Sequence, residues 1–120
     1  ISQHAALAAL TGPQEPIDAM METYGERRSW LMPALTEAGF TYGHPGGAFY
    51  IYTNVSSSGL TAPDFCLRLL QEAGVMVFPG TMFGDDSTDY IRISYLQPLP
   101  MIKEAMERIA SFTSSARAAQ

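Results

Sequence analysis

The sequence predicts an α+β fold in which a small, largely antiparallel sheet is covered by helices on one face. Two observations lead to this prediction. Stretches with apolar residues three and four positions apart, typical of helices, alternate along the chain with short β-rich segments. The chain also has 120 residues, of which 47% are hydrophobic, which is enough for one domain with a substantial core and too little for two.

The first long helix is predicted over residues 13–39. Its apolar residues recur at helical spacing as for a helix packed along one stripe, Pro13 stands near its start and Gly39 at its end. Pro33 lies inside the pattern. Because a proline lacks a backbone N–H and clashes with the preceding turn, we expect a kink or a break around residues 29–30.

The two ends of the chain are predicted to be weakly packed. Residues 1–12 are rich in alanine and predict a short helix in which Leu7 and Leu10 are exposed. Apolar periodicity is lost after Phe112, so we expect residues 114–120 to form a frayed tail.

Two further helices are predicted from their end signals. One begins near Pro63 and closes at Gly74, and the last begins near Pro100. The faces expected to pack in the core are Phe65, Cys66, Leu69, Leu70 and Ala73 in the former, and Ile102, Ala105, Met106, Ile109 and Phe112 in the latter.

Three strands are predicted, over residues 48–54, 75–78 and 90–96. Side chains alternate between the two faces of a strand. One face of the third strand therefore carries Tyr90, Arg92, Ser94 and Leu96, and the other carries Ile91, Ile93 and Tyr95. This places Arg92 on the open face of the sheet or at its edge, away from the helices.

Charge and cysteine content exclude several classes of function. The net charge is −5, and Arg27-Arg28 is the only basic pair, which argues against a nucleic-acid partner. We expect this pair to occupy an exposed helix face or an ion pair. No apolar run is long enough for a membrane span. The single cysteine, Cys66, cannot form an internal disulfide, which fits a reducing, cytoplasmic location, and its position favours core packing. No spacing of ligands suggests a zinc site.

Arg92 is the strongest candidate for function. A guanidinium stays charged at biological pH, so its place between two isoleucines calls for an anionic or strongly accepting partner. One interpretation is a receptor for the carboxylate of a ligand. The alternatives are pairing with Asp85, Asp86 or Asp89, or a side chain that extends from the sheet edge into solvent.

Several short motifs in residues 46–112 follow one another in an order that resembles a known family. They are Gly47-Ala48-Phe49-Tyr50, Pro79-Gly80, Phe83-Gly84, Tyr90-Ile91-Arg92-Ile93-Ser94 and a closing helix with Ala105-Met106-Glu107-Arg108-Ile109. Together they resemble the small, C-terminal domain of class I and II aminotransferases, which are pyridoxal-phosphate enzymes of fold type I. Residues 3–28 resemble the segment that joins the large domain of these enzymes to the small one, so the resemblance covers nearly the whole chain.

The resemblance implies a division of the chain. Residues 1–12 are the end of a large-domain helix, 13–39 the long interdomain helix kinked near Pro33, 40–113 the small domain and 114–120 the tail. The sequence begins at Ile1 rather than Met, so we expect its start to be either a chosen boundary within a longer protein or a cleavage point.

The resemblance also implies roles for individual residues. Arg92 is expected to bind the α-carboxylate of an amino-acid or 2-oxo-acid substrate, within a small domain that closes over the substrate as a lid. Gly46, Gly47 and Phe83 are candidate cleft-lining residues. The alternatives are a simple turn into the strand for the two glycines and a core aromatic for Phe83.

The family's reaction requires a lysine that holds the cofactor as a Schiff base. Lys103 is the only lysine, and it falls in the polar part of the last predicted helix. We therefore expect pyridoxal phosphate to bind mainly to a large domain outside this sequence, with the intact enzyme a homodimer and this chain alone inactive. The alternative is a stand-alone, non-catalytic α+β module that binds a ligand or a protein partner.

Overall fold

The computed structural model describes residues 1–84 and 88–118. It contains four helices and four strands within those residues. In chain order they are α1 (Ser2–Thr11), α2 (Glu15–Glu37), β1 (Thr41–Tyr42), β2 (Tyr50–Asn54), α3 (Ala62–Ala73), β3 (Phe78–Pro79), β4 (Tyr90–Ser94) and α4 (Leu99–Ala118), with short 3₁₀ helices at Ser56–Ser58 and Gly80–Phe83.

The four strands form one sheet in the order β1-β2-β4-β3, and each neighbouring pair is antiparallel. In the longest pairing, Ile51 lies opposite Ile93 and Tyr52 opposite Arg92. The predicted α+β class and antiparallel sheet are confirmed. Strand β1 was not predicted, because two residues are too few to display an alternating pattern.

Two predicted strands begin later than expected, for reasons in the backbone. Residues 75–77 precede β3, because Gly74 ends α3 in a left-handed conformation and the Val75 N–H bonds back to the Leu69 carbonyl. Strand β2 begins at Tyr50 because Ala48 has a φ of 62°, which interrupts an extended chain.

Helix α2 runs without interruption through Pro33, so the expected break is not found, and a kink there stays a prediction. Its second half packs on the core through Leu31 and Leu35. The first half does not, since Met20 and Met21 are 45% and 60% exposed, so the expected core stripe is wrong for that part of the helix. Gly39 ends the helix as predicted, with a φ of 87° that favours glycine.

Helices α3 and α4 cover one face of the sheet and close the core. Phe65 of α3 is fully buried between the rings of Phe40 and Phe112, with centroids 5.8 and 5.3 Å away. Most of the expected helix faces are buried. Leu70 is an exception, being 46% exposed, because one residue step turns it about 100° away from the buried Leu69.

The expected fraying of the tail is wrong for residues 114–118, because α4 continues through Ala118. Thr113 and Ala116 are buried. The Arg117 guanidinium donates to the carbonyls of Ser57 and Ala38 at 2.9 and 3.3 Å, which fixes the last turn against the rest of the domain. Residues 119–120 lie outside the described residues.

Helix α1 is formed as predicted, and none of its residues is buried. Leu7 and Leu10 are 60% and 82% exposed. Among the described helices, none combines the length and apolar character needed to cross a bilayer.

Candidate functional site

Arg92 lies in the central strand pairing of the sheet. Strand β4 runs between β2 and β3, and Arg92 is paired with Tyr52 on one side and with Phe78 on the other. Ile91 and Ile93 point to the opposite face and are buried, whereas Arg92 is half-buried. The predicted division of this strand into a covered face and an open face is therefore confirmed.

Aromatic rings surround Arg92 on the open face. Its guanidinium carbon lies 3.5 Å from the centroid of the Phe83 ring and 4.9 Å from that of Tyr50. Tyr52 and Tyr90 stack beside it with centroids 5.9 Å apart. The cation is thus held by ring contacts, a geometry that stabilises a guanidinium by about 0.5–1 kcal/mol at an exposed site.

Phe83 reaches Arg92 from the 3₁₀ helix Gly80–Phe83, which directly follows β3. The Tyr52 hydroxyl donates to the Gly80 carbonyl at 3.2 Å and so ties this helix to β2. Gly84 ends the helix with a φ of 84°, a left-handed conformation that glycine adopts without strain. The sequence predicted Phe83 near the site but not the 3₁₀ helix that carries it.

The ring contacts of Arg92 do not use the hydrogen-bond donors of its guanidinium. A guanidinium donates hydrogen bonds in its own plane, so a ring stacked on its flat face does not obstruct the approach of a carboxylate to its edge. Asp85 and Asp86 lie outside the described residues, so pairing of Arg92 with an acidic neighbour stays a prediction. Arg92 also borders a cavity of 230 Å³ together with Met76, Phe78, Ser94, Gln97 and Met101.

Gly46 and Gly47 lie elsewhere. They line a second cavity of 230 Å³ between the segment before β2 and helix α2, with Tyr24, Arg28 and Tyr95 among its other walls. Arg92 does not line this cavity. The structure therefore brings Phe83 to Arg92 and places the two glycines apart from it, and their predicted role in the cleft stays a prediction.

The side chains of Arg27 and Arg28 donate hydrogen bonds to backbone carbonyls, and the sequence did not indicate these contacts. The Arg27 guanidinium donates to the Leu96 carbonyl at 2.6 Å, and that of Arg28 donates to the Pro45 carbonyl at 3.1 Å. The sequence predicted an exposed helix face or an ion pair, and neither expectation includes these hydrogen bonds to carbonyls. Carbonyl acceptors sit on every residue, so no sequence signal marks them.

Two other reactive side chains, those of Cys66 and Lys103, lie on helices α3 and α4. Cys66 is buried, and burial raises the pKa of its thiol to about 11. The ammonium of Lys103 lies 5.5 Å from the Trp30 ring, between α4 and α2, and not against the aromatic residues around Arg92. Within residues 1–84 and 88–118, no three His, Cys, Asp or Glu side chains are placed to hold a metal ion.

Comparison with known proteins gives consistent matches. The family model for aminotransferase class I and II matches residues 1–109. An aspartate aminotransferase of Bacillus sp. (strain YM-2) is 40% identical over 117 residues, which cover 92% of this chain and 29% of that protein. An LL-diaminopimelate aminotransferase of Desulforudis audaxviator is 39% identical over 109 residues, covering 91% of this chain and 28% of that protein.

Solved structures agree with the sequence matches. An aromatic aminotransferase from Pyrococcus horikoshii superposes with a TM-score of 0.86 at 36% identity, covering 94% of this chain and 31% of that one. An aminotransferase from Mycobacterium tuberculosis gives a TM-score of 0.86 at 34% identity, covering 95% and 30%. The chain therefore spans less than a third of the length of the relatives that it matches.

Proposed function

The chain belongs to the class I and II aminotransferase family, and we propose that it is the small domain of a pyridoxal-phosphate-dependent aminotransferase. In this proposal Arg92 binds the α-carboxylate of an amino-acid or 2-oxo-acid substrate. The domain closes over the substrate as a lid.

The observation that carries the proposal is the setting of Arg92. A permanently charged fork stands on the open face of a sheet whose other face is closed by helices, and the rings of Phe83 and Tyr50 contact its guanidinium. Two parallel hydrogen bonds to a carboxylate would fix both the position and the rotation of the ligand. Such orientation is what a reaction at the neighbouring α-carbon requires.

We propose that the described residues do not form a site for pyridoxal phosphate by themselves. The reaction needs a lysine beside the substrate, and the only lysine of the chain contacts Trp30 on the helical layer. We infer that the cofactor, which supplies the electron sink when bound, is held mainly by another part of the complete protein. The 120-residue chain alone is then expected to be inactive.

The same proposal accounts for the exposed apolar residues of α1 and of the first half of α2. Leu7, Leu10, Met20 and Met21 are 45–82% exposed, which is unusual for so many large apolar side chains on neighbouring helices. We propose that they pack against the large domain of the same protein, or against a second subunit of a homodimer.

The proposal is tested by the activity of the complete protein. We expect it to transfer the amino group of aspartate, LL-diaminopimelate or an aromatic amino acid, after which its relatives are named, to a 2-oxo acid. Arg92→Lys keeps the charge but loses the fork, and we expect it to raise the KM for the amino acid roughly 10- to 100-fold, the worth of one or two charged hydrogen bonds. Affinity for pyridoxal phosphate should change much less.

Arg68→Lys is the matched control, because Arg68 is also half-buried but lies on α3, where it pairs with Glu72 at 2.8 Å. It should leave the KM unchanged. Equal loss of substrate and cofactor affinity in Arg92→Lys would indicate a folding defect and contradict the carboxylate role. The 120-residue chain, mixed with pyridoxal phosphate and desalted, should retain none of the cofactor absorbance, and stoichiometric retention would overturn the proposed division of the site.

A further inference from the structure

Ala48 has an unusual backbone conformation. Its φ of 62° is the only positive value at a non-glycine residue in the part of the chain that the structure describes. An L-residue pays for this left-handed conformation because its Cβ crowds the following carbonyl oxygen. Residues held in this way persist only where their surroundings impose the conformation, and they concentrate at functional sites.

Tyr95 contacts the backbone on the C-terminal side of Ala48. The Tyr95 hydroxyl donates to the Ala48 carbonyl at 2.8 Å, and the Tyr95 backbone N–H donates to the Phe49 carbonyl at 2.9 Å. One residue therefore binds two successive carbonyls, those of the Ala48–Phe49 and Phe49–Tyr50 peptides. The hydroxyl contact joins positions 47 residues apart in sequence.

Tyr95 is itself held in place. It is 1% exposed, and its ring packs edge to face against Tyr24 of α2 with centroids 6.2 Å apart. The Arg27 guanidinium donates to the carbonyl that follows it, that of Leu96, at 2.6 Å. Burial raises the pKa of the Tyr95 hydroxyl, with nearby Arg28 acting in the opposite direction. The hydroxyl thus remains a donor at neutral pH.

The conformation of Ala48 determines where the next residues go. Strand β2 begins two residues later at Tyr50, whose ring lies 4.9 Å from the guanidinium carbon of Arg92. Phe49 packs edge to face on Tyr50, with centroids 5.7 Å apart. A change at Ala48 would therefore alter the entry into β2 and, through it, one of the two rings against Arg92.

We propose that Tyr95 is a positioning residue for the Arg92 site, whose hydroxyl keeps Ala48 left-handed and so sets Tyr50 against the guanidinium. The proposal rests on the proposed carboxylate-binding role of Arg92. It assigns Tyr95 no contact with substrate. Its effect travels through Ala48, Phe49 and Tyr50.

The first test is conformational and does not depend on activity. In isotope-labelled chain, the Ala48 Cβ chemical shift and the HN–Hα coupling report its backbone conformation. We expect Tyr95→Phe, which removes only the hydroxyl oxygen, to shift both values away from the left-handed range and to move the amide signals of Phe49 and Tyr50. Unchanged Ala48 signals in a folded Tyr95→Phe chain would overturn the proposal.

Tyr42→Phe is the matched control. The Tyr42 hydroxyl also donates to a backbone carbonyl, that of Met32 at 2.7 Å, but β1 pairs with the C-terminal end of β2, where Tyr42 lies opposite Thr53. The Tyr42→Phe substitution removes the same kind of hydrogen bond, and the lost bond does not involve Ala48 or Phe49. We expect the Ala48 signals of this variant to equal those of the unsubstituted chain, and the same shift in both variants would contradict a specific role for Tyr95.

The second test is kinetic and uses the complete protein with whichever of the three amino acids it turns over. We expect Tyr95→Phe to raise the KM for the amino acid roughly 2- to 10-fold, the effect of one hydrogen bond, with a smaller change in kcat. Ala48→Gly in the Tyr95→Phe background should restore most of the affinity, because glycine adopts a positive φ without strain. A double variant as weak as Tyr95→Phe alone would overturn the proposal.

If Tyr95→Phe does not fold, Ala48→Val supplies the same kinetic test without altering Tyr95. A β-branched residue strongly disfavours a positive φ, so its KM should rise although the hydroxyl is present. An unchanged KM in Ala48→Val would contradict the proposal. Absence of any turnover in the unsubstituted complete protein would count against the proposed function, whereas the Ala48 signals would still decide the role of Tyr95.

Discussion

The two faces of the sheet differ in how they are completed. The covered face carries Ile51, Ile91 and Ile93, all at most 7% exposed, which pack with helices α3 and α4 of the same chain. The open face carries Arg92 with aromatic neighbours such as Phe83, which is 44% exposed. Helices of the same chain bury the covered face, whereas side chains of the open face stay accessible to solvent.

The difference separates two tasks of one sheet. Apolar side chains on the covered face gain about 25 cal/mol per Å² of area removed from water, and this burial stabilises the domain. Rings on the open face remain partly exposed to solvent, so they contribute less to the stability of the fold. Their contact with the Arg92 guanidinium positions this charged group. Stability and recognition are therefore expected to respond to different substitutions.

The largest effect that tests this separation concerns two phenylalanines. Phe65→Ala empties a fully buried position between two rings and should lower the free energy of unfolding by about 3–5 kcal/mol. Phe83→Ala removes the same ring from the open face and should lower it by no more than about 1 kcal/mol. Urea unfolding of the two variants, followed by circular dichroism, measures both changes.

The pair is matched in chemistry, since each variant loses one benzyl group. Similar losses of stability in the two variants would break the comparison, because the open face would then be part of the core. The slope of the unfolding free energy against urea should be the same in both, which checks that the compactness of the unfolded state is unchanged.

The covered face follows from the sequence because hydrophobic periodicity encodes it. Helix α3 was predicted from Pro63 and Gly74, and it spans Ala62–Ala73 with a left-handed Gly74 after it. Alternation in residues 90–96 likewise gave the two faces of β4. Burial acts on every residue of such a pattern, so its signal is repeated along the chain.

Less of the candidate site was accessible from the sequence. Arg92 was found because a charge between isoleucines is anomalous, and Phe83 through a family motif. The roles of Arg27, Tyr95 and Ala48 were missed, since each depends on one hydrogen bond to a backbone carbonyl or on one dihedral angle. Such contacts depend on where distant segments meet, and no local pattern records them.

The covered face contains one polar defect that sharpens the comparison. Thr53 is fully buried, and its hydroxyl has no hydrogen-bond partner within the described residues. A buried hydroxyl without a partner is destabilising, so Thr53→Val should raise the free energy of unfolding by about 1 kcal/mol. Urea unfolding measures the change.

Thr113 is the matched control, because it is 1% exposed and its hydroxyl donates to the Ile109 carbonyl at 2.7 Å. Thr113→Val removes a bond that is made and should not stabilise the chain. Stabilisation of similar size in both variants would show that replacing a buried hydroxyl by a methyl group is favourable at either position. It would contradict the claim that the missing hydrogen bond at Thr53 is the cause.

The smallest predicted effect is on the open face and concerns binding rather than folding. Phe83→Leu keeps an apolar side chain but loses the ring face against the Arg92 guanidinium. A cation–π contact of about 0.5–1 kcal/mol corresponds to a roughly 2- to 5-fold rise in the KM for the amino acid in the complete protein. The melting temperature should stay nearly constant. Phe83→Tyr keeps a ring face and should keep the KM, whereas a KM that rises equally in Phe83→Tyr and Phe83→Leu would assign Phe83 to shape alone and remove the ring from the carboxylate site.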